Sequence, residues 1–309
     1  MLSSAAATPM TGRDLLSIDQ LSRDDLVALL DLADQLKQLQ AEGVPHRLLP
    51  GRTLAMIFQK ASTRTRVSFE VGITQLGGVA VNLSAAEMQL GRGESIEDTG
   101  IVLARYVDAI MIRARAHSEV QALADAADVP VINGLTDSHH PCQALADVQT
   151  LRERLGDLDG RRLAWLGDGC NNVCHSLITA AGLMGMRIAV ATPLGYEPDP
   201  LVVAAAGDVT LLDDPIEAVS GADAVATDVW TSMGQEAERE QRIANLTAYR
   251  VDAALLTHAA PEAIVLHCLP AHYGEEITHE VLHGPRSAAW DAAENRLHAQ
   301  KALLAMVMP

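Results

Sequence analysis

Residues 60–66, Lys-Ala-Ser-Thr-Arg-Thr-Arg, combine hydroxyls and cations in a pattern that suits an anion. A hydroxyl-rich segment entering a helix offers free backbone N–H groups and the positive end of the helix dipole. The arginines add planar, bidentate donors that match phosphate oxygens. A polar helix start with solvated arginines is an almost equally good interpretation of this segment alone. The Gly-rich Walker pattern is absent, so the segment does not predict a nucleoside triphosphate site.

Two further candidates follow predicted strands. Arg113 follows the third strand, and His140 opens His-Pro-Cys-Gln at 140–143, after the fourth. Taken singly, Arg113 fits a surface salt bridge and His140 a satisfied histidine at a helix start. Ligands of parallel sheets bind at the carboxyl ends of the strands, so we expect Arg64, Arg113 and His140 to form one local cation cluster. The net charge of −17 requires such a cluster for any anionic ligand, because attraction must act within a Debye length of about 8 Å.

The second half of the chain carries different chemistry. Residues 167–172, Gly-Asp-Gly-Cys-Asn-Asn, follow a strand and open a helix, but the third glycine of a dinucleotide turn is missing. A nicotinamide cofactor is therefore not predicted. Residues 228–234, Asp-Val-Trp-Thr-Ser-Met-Gly, follow another strand and supply a carboxylate and a hydroxyl. A carboxylate with a nearby amide suits an amino-acid substrate that carries ammonium groups.

The four cysteines do not form a disulfide framework, which favours a reducing, cytoplasmic location. Cys268, in His-Cys-Leu-Pro at 267–270, needs an adjacent base to act as a nucleophile, and His267 faces the other side of a strand. Covalent thiol catalysis is therefore disfavoured. Cys170 and Cys174 lack the second ligand pair of a structural zinc site, so we predict buried, unmetallated cysteines on a helix.

The elements that position these residues alternate between strands and helices. We predict strands at 54–59, 79–83, 109–112, 129–132, 163–166, 187–191, 209–212, 224–227 and 263–267, apolar on both faces as in a covered parallel sheet. Capping boxes are predicted at Ser95-x-x-Asp98 and Ser118-x-x-Gln121. A helix that begins near Thr63 should stop at Gly77-Gly78.

This alternation predicts an α/β fold with two doubly wound domains, each a mainly parallel sheet flanked by helices. We expect domains at 1–142 and 143–286, joined by a helix at 141–155, with a last helix from residue 287 packing back on the first domain. No apolar run approaches the roughly 20 residues that span a bilayer, and residues 1–11 do not resemble a secretory signal. The negative net charge excludes nucleic acid and anionic membranes as partners.

Taken together and in order, four motifs resemble the ornithine carbamoyltransferase family over most of the chain. They are Ser-Thr-Arg-Thr-Arg at 62–66, His-Pro-x-Gln at 140–143, Asp-x-Trp-x-Ser-Met-Gly at 228–234 and His-Cys-Leu-Pro at 267–270. The first two are shared by carbamoyltransferases generally, and the last two distinguish the ornithine branch from the aspartate branch. The resemblance implies carbamoyl transfer from carbamoyl phosphate to L-ornithine, without a metal or organic cofactor, by a homotrimer with sites at subunit boundaries.

The resemblance also implies roles for individual residues. A carbamoyl phosphate site is implied at Ser62, Thr63, Arg64, Thr65, Gln89, Arg113, His140, Gln143, Cys268, Leu269 and Arg296. An ornithine site is implied at Asn172, Asp228, Ser232 and Met233. Catalytic roles fall on Arg113, His140 and Cys268, while Gln89 would reach a neighbouring subunit. One departure concerns that subunit contact: some members carry a basic residue where this chain has Gly93, and Arg92 offers a substitute.

Three questions stay open at this point. The acceptor could be N-acylated ornithine, putrescine or aspartate, although the 232–234 segment favours free ornithine. A non-catalytic subunit could share the fold, although it need not retain Arg64, Arg113, His140 and Cys268 together. Biosynthetic and arginine-degrading members share these residues, and we expect the biosynthetic direction. We also expect the domains to close over ornithine, with the 228–234 loop moving.

Overall fold

The computed structural model describes residues 10–85, 88–89, 93–231 and 236–308. The chain divides into two compact units, which are described separately. Unit 1 comprises the residues up to Ala146 together with those from Asn295 onward, and unit 2 comprises Asp147–Glu294. Among the described residues, no helix is both long and apolar enough to cross a membrane.

Unit 1 is built on a four-stranded parallel sheet in the order β2-β1-β3-β4. Its elements are α1 (Arg23–Ala41), β1 (Thr53–Phe58), α2 (Thr63–Gln75), β2 (Val79–Ser84), α3 (Ile96–Leu103), β3 (Ala109–Arg113), α4 (His117–Ala126) and β4 (Val131–Leu135). The helix α5 (Pro141–Leu155) begins in this unit and ends in unit 2.

Unit 2 is built on a five-stranded parallel sheet in the order β7-β6-β5-β8-β9. Its elements are β5 (Arg162–Leu166), α6 (Asn172–Leu183), β6 (Arg187–Ala191), α7 (Pro200–Ala206), β7 (Val209–Leu212), α8 (Pro215–Val219), β8 (Ala224–Thr227), α9 (Arg239–Leu246), β9 (Ile264–His267) and α10 (His279–Leu282). The last helix, α11 (Ala289–Val307), begins in unit 2 and ends in unit 1.

All nine predicted strands are present, which confirms the α/β class with two parallel sheets. The prediction that strands are covered on both faces is wrong for β2 and β7, which have exposed residues. Each of these strands lies at the edge of its sheet, where coverage by helices is incomplete. The fourth strand begins at Val131 rather than at residue 129, because Pro130 has no N–H for the ladder.

Helix ends test the predicted caps. Ser95 caps α3 by accepting from the N–H of Asp98 at 3.0 Å, as predicted. The cap at Ser118 is wrong, because α4 begins one residue earlier, at His117. The N–H of His117 donates to Asp137 Oδ1 at 3.1 Å, so the cap comes from a distant residue. The helix α2 ends before Gly77, whose φ of 91° is the left-handed conformation that terminates helices.

Within unit 1, a buried lysine ties α11 to two other helices. Lys301 is fully buried, and its ammonium donates to Gln40 Oε1 at 2.7 Å and to Gln75 Oε1 at 3.0 Å. His46 Nε2 lies 3.1 Å from the same nitrogen. Burial lowers the pKa of Lys301 to about 8. These contacts anchor the carboxyl-terminal half of α11. Arg296 lies on the same helix, five residues before Lys301.

Candidate active site

The anion-binding half of the candidate site lies in unit 1, at the start of α2. Ser62 is the N-cap of this helix, and its hydroxyl accepts from the N–H of Thr65 at 3.3 Å. The first N–H groups of an α-helix have no acceptor within the helix. Arg64 lies exposed on this first turn, while Thr65 is buried. The segment therefore begins a helix as predicted and presents both hydroxyls and a guanidinium there.

Arg296 joins α2 and α5 at the base of this cluster. Its guanidinium is buried and donates to Thr65 Oγ1 at 3.1 Å and to Gln143 Oε1 at 3.0 Å. Thr65 and Gln143 lie 78 residues apart in sequence, and Arg296 lies on the last helix. The tertiary fold thus brings three of the proposed carbamoyl phosphate ligands into direct contact within unit 1.

His140 lies within the electrostatic influence of three arginines of this unit. It precedes α5 and is buried, and its pKa is lowered well below 6.5 by burial and by the charges of Arg296, Arg113 and Arg64. Its inclusion in a cation cluster was therefore wrong, because the imidazole is neutral near neutral pH. A neutral imidazole still has one N–H to donate. The cations of the cluster are Arg64, Arg113 and Arg296.

Arg113 ends β3 at a point where the register with β4 shifts between Ile112 and Arg113. Such an irregularity changes the direction of a side chain at the end of a strand. The residue is buried, with 7% of its surface exposed, so its charge is poorly screened by water. Arg113 is therefore suited to stabilising negative charge that develops on a bound ligand.

The second half of the candidate site lies in unit 2, around Asp228. This carboxylate follows β8 and is buried, with Asn171 Nδ2 donating to Oδ2 at 3.0 Å and Cys268 Sγ donating to Oδ1 at 2.9 Å. The three residues follow β8, β5 and β9, which are neighbouring parallel strands. The sheet order therefore gathers them at its carboxyl edge, as the topology predicts.

Cys268 and His267 have separate surroundings. His267 Nδ1 accepts from the N–H of Leu269 at 2.9 Å, so its proton belongs on Nε2, which lies 3.1 Å from Glu276 Oε1. The thiol of Cys268 instead contacts the Asp228 carboxylate. Leu269 has a φ of 59°, a left-handed conformation that is rare for a non-glycine residue. This segment is thus held in a specific, strained geometry by its neighbours.

Two residues that support this half were not predicted from the sequence. Asn171 is the N-cap of α6, accepting from the N–H of Val173 at 2.7 Å, while its amide positions Asp228. Its N-cap preference was a readable signal. Arg242, on α9, pairs with Asp168 and donates from Nε to the carbonyl of Trp230. Nothing in the local sequence around Arg242 indicates this contact.

Gly167 shows why the turn after β5 requires glycine. Its φ is 113°, and a Cβ there would lie 3.1 Å from Trp230 Nε1. The tight approach places the loop after β8 against the turn after β5. Trp230 is buried, so it anchors the described beginning of the 228–234 segment.

Several predicted site residues are at least partly exposed or lie outside the described residues. Asn172 is the first residue of α6 and is half-buried, and Gln89 is exposed. Ser232, Met233 and Arg92 lie outside the described residues. The prediction of buried helical cysteines holds for Cys174 but is wrong for Cys170, which is exposed and precedes α6.

Comparison with known proteins accounts for both halves of the chain. Residues 13–153 match the aspartate/ornithine carbamoyltransferase carbamoyl-P binding domain, and residues 159–307 match the Asp/Orn binding domain of the same family. The ornithine carbamoyltransferase of Methanoculleus marisnigri is 56% identical over 296 residues, covering 94% of this chain and 96% of that protein. The anabolic ornithine carbamoyltransferase of Pyrococcus furiosus is 52% identical over 307 residues, covering 97% of both chains.

The fold agrees with these sequence matches. A solved structure of ornithine carbamoyltransferase from Pyrococcus furiosus superposes with a TM-score of 0.94, covering 97% of this chain and 98% of that chain. The structure from Thermus thermophilus, 46% identical, gives a TM-score of 0.88 with coverage of 96% and 99%. Both family domains and relatives of this identity span nearly the whole chain. The chain therefore belongs to the aspartate/ornithine carbamoyltransferase family.

Proposed function

We propose that the chain transfers the carbamoyl group of carbamoyl phosphate to the δ-amine of L-ornithine, producing L-citrulline and phosphate. The single observation that carries the proposal is the set of three guanidinium groups around a buried, neutral imidazole in unit 1. Such a set matches a small dianion that carries both a phosphate and a carbonyl oxygen. The family assignment and the named relatives support the same reaction.

The phosphate is bound at the start of α2. Ser62, Thr63 and Thr65 contribute hydroxyl and backbone donors there, and Arg64 adds a bidentate cation. Arg296 completes the site while holding Thr65 and Gln143 in place. These buried Arg296 contacts fix the helix start and the proposed amide ligand relative to one cation of that set.

Gln143 of unit 1 is a proposed ligand of the carbamoyl amide. The family resemblance implies backbone ligands of the same group at Cys268 and Leu269, in unit 2. The N–H of Leu269 already donates to His267 Nδ1. We therefore assign the Leu269 carbonyl oxygen as an acceptor for the carbamoyl NH2 group, which has two donors to satisfy. The left-handed conformation of Leu269 supports this assignment, since such strain recurs where the backbone binds a ligand.

In the reaction, the neutral δ-amine attacks the carbamoyl carbon, a C–N bond forms, and the carbonyl oxygen gains negative charge. Arg113, His140 and Thr65 donate to that oxygen. The C–O bond to phosphate then breaks, and the leaving phosphate takes the electron pair and accepts the proton lost by the amine. A donor aimed at the developing oxyanion typically contributes ~10²–10³ in turnover. A neutral His140 suits this role because it supplies an N–H donor, while the arginines supply the positive charge that pairs with the phosphate.

Ornithine is bound in unit 2 through Asp228. A buried carboxylate is costly without a cation, and an ammonium group of the substrate satisfies it. Asn171 and Cys268 hold the carboxylate from two sides, so it is already oriented when the substrate binds. Asn172, Ser232 and Met233 are further proposed ligands of the amino-acid end. Cys268 acts as a donor that positions Asp228 and not as a nucleophile.

The chain assembles as a homotrimer through unit 1. Apolar side chains of this unit are exposed on α2, on β2, on α3 and just after α3: Val67, Val71, Val79, Val81, Ile101, Val102 and Tyr106. Exposed apolar side chains that form a contiguous patch typically mark a protein interface. Gln89 is also exposed, which suits a residue that reaches the carbamoyl phosphate of a neighbouring subunit.

The physiological direction we propose is biosynthetic, in arginine formation. Support comes from the relative in Pyrococcus furiosus and a structural neighbour in Campylobacter jejuni, both named anabolic. We also propose a cytoplasmic location, supported by four cysteines that are all free thiols.

The test is citrulline formation by the purified protein with carbamoyl phosphate. Parallel reactions contain L-ornithine, N-acetylornithine, putrescine or L-aspartate, and each is also assayed for released phosphate. Activity confined to ornithine is expected, with equal amounts of citrulline and phosphate. Carbamoylation of another acceptor would overturn the assignment of unit 2, and no activity with any acceptor would favour a non-catalytic subunit.

A further inference from the structure

The turn that follows β9 in unit 2 brings three potential metal ligands together. One ligand atom each from His272, Glu275 and Glu276 lies within 4.8 Å of the other two. The turn is closed by the N–H of Glu275 donating to the His272 carbonyl at 3.0 Å, and Gly274 adopts a φ of 87°. The backbone therefore folds these side chains toward one point without needing a ligand to do so.

The atoms that converge are buried and lack a hydrogen-bond partner among the described residues. They are His272 Nδ1, Glu275 Oε2 and Glu276 Oε2. The remaining carboxylate oxygens are engaged: Glu276 Oε1 accepts from the N–H of His272 at 2.6 Å, and Glu275 Oε1 pairs with Arg239. His272 Nδ1 and Glu275 Oε2 are 3.8 Å apart, too far for a hydrogen bond.

Burial makes this arrangement costly unless a ligand completes it. The Glu276 side chain is fully buried, and a carboxylate oxygen in the interior without a donor loses its hydration with no replacement. The side chains of Glu275 and His272 are 16% and 42% exposed. The side of His272 is therefore the most exposed approach to the three buried ligand atoms.

We propose that His272, Glu275 and Glu276 bind a divalent cation of the zinc class. One imidazole nitrogen and two carboxylate oxygens suit Zn²⁺, whereas Mg²⁺ and Ca²⁺ prefer oxygen ligands throughout. Ligands about 2.1 Å from a tetrahedral Zn²⁺ lie about 3.4 Å apart. His272 Nδ1 and Glu275 Oε2 are 3.8 Å apart and the ligand atoms of all three residues lie within 4.8 Å, so side-chain rotations must bring them closer. Water completes the coordination on the exposed side.

Nearby cations set an upper limit on affinity. Arg239 pairs with Glu275, and Arg250 donates to the Gly274 carbonyl at 2.9 Å. Their charges oppose a second cation, so binding should be weaker than at a structural zinc site of cysteines. Even with the charge of Glu275 offset by Arg239, the carboxylate of Glu276 leaves a net negative charge beside His272.

Two other groups of residues must be distinguished in the test. Asp228, His267 and Cys268 also place ligand atoms within 4.8 Å of one another. His279 and His283 stack at 4.2 Å near the surface. We therefore use Cys268→Ser as the background that removes the first group, and His283→Gln as the control for the second.

The experiment is calorimetric titration of full-length, untagged, chelator-treated protein with Zn²⁺ alone. We expect one saturable equivalent in Cys268→Ser, unchanged by His283→Gln. Adding His272→Ala or the nearly isosteric Glu275→Gln to this background should weaken Zn²⁺ affinity by ~10–100-fold. Losses of that size are typical when residues that support a metal site are changed. A rise in melting temperature with Zn²⁺ should be lost in the same variants.

The proposal is overturned if Cys268→Ser shows no saturable binding, or if its affinity is unaffected by both His272→Ala and Glu275→Gln. It is also overturned if His283→Gln abolishes binding. Circular dichroism and thermal melting without metal establish that each variant is folded. Glu275→Gln keeps the size of the side chain, so it serves as the decisive variant if His272→Ala does not fold.

Discussion

Arg296→Met should selectively impair the use of carbamoyl phosphate. Arg296 is buried and donates one hydrogen bond each to Thr65 and Gln143. Loss of one charge-assisted bond to a phosphate oxygen costs about 1.5–3 kcal/mol, which at 1.4 kcal/mol per factor of ten is ~10- to ~140-fold. We therefore expect kcat/KM for carbamoyl phosphate to fall by that factor, because methionine fills the space without supplying a donor.

The assay is steady-state citrulline formation with each substrate varied in turn. Arg66→Met is the control: Arg66 follows Thr65 on α2, is 59% exposed and makes only a 3.8 Å contact with Glu70 among the ion pairs described. Surface substitutions of this kind usually change free energies by about 0.5 kcal/mol or less. The melting temperature of both variants is measured so that assays are run on folded protein.

The reasoning would be refuted if Arg296→Met retained the carbamoyl phosphate kinetics of Arg66→Met while remaining folded. A loss confined to the ornithine KM would equally contradict it, since Arg296 contacts only unit 1 residues in the hydrogen bonds given above.

Arg64→Ala should cripple carbamoyl phosphate use, checked by the same kinetics; normal values would refute the anion-site assignment. Asp228→Ala should mainly raise the KM for ornithine, because about 2–5 kcal/mol of binding free energy is lost. An unchanged KM for ornithine would exclude Asp228 as a ligand. The pKa of His298 is lowered from 6.5 to about 3 by burial and nearby lysines, so unfolding takes up protons. The contribution of His298 to the free energy of unfolding is complete above pH 6.5 and declines as pH falls toward 3. His298→Leu should therefore flatten the pH dependence of the free energy of unfolding, measured by urea titration at several pH values. Lys301→Met should destabilise by about 1–3 kcal/mol per acceptor left unsatisfied, and an unchanged urea midpoint would argue against its anchoring role.

Local sequence patterns were sufficient for most of the secondary structure. The nine strands were predictable because short, mostly apolar runs suit a covered parallel sheet, although the edge strands β2 and β7 are partly exposed. The cap at Ser95 was equally local, since its hydroxyl bonds within the first turn of α3. One error arose where a distant residue decided the outcome: Asp137, 20 positions away from His117, caps α4 in place of Ser118. The other error was local, because Pro130 delays the start of β4.

The residue types of the candidate site were also readable from sequence. Hydroxyls and arginines after one strand, and a carboxylate after another, indicate an anion and an ammonium group whatever the detailed geometry. Family motifs at 62–66, 140–143, 228–234 and 267–270 carried these residues into specific proposed roles. This much depends on chemistry that each short segment contains by itself.

The tertiary structure decided what these groups become. His140 is neutral because burial and three guanidinium groups, from α2, β3 and α11, act on it together. The contact of Asn171 with Asp228 depends on strand order, and the contact of Arg242 with Trp230 depends on the packing of α9. Such effects combine residues far apart in the chain, and their energies depend on burial and distance. A sequence specifies which groups are available, whereas only packing specifies which of them meet and how much water remains.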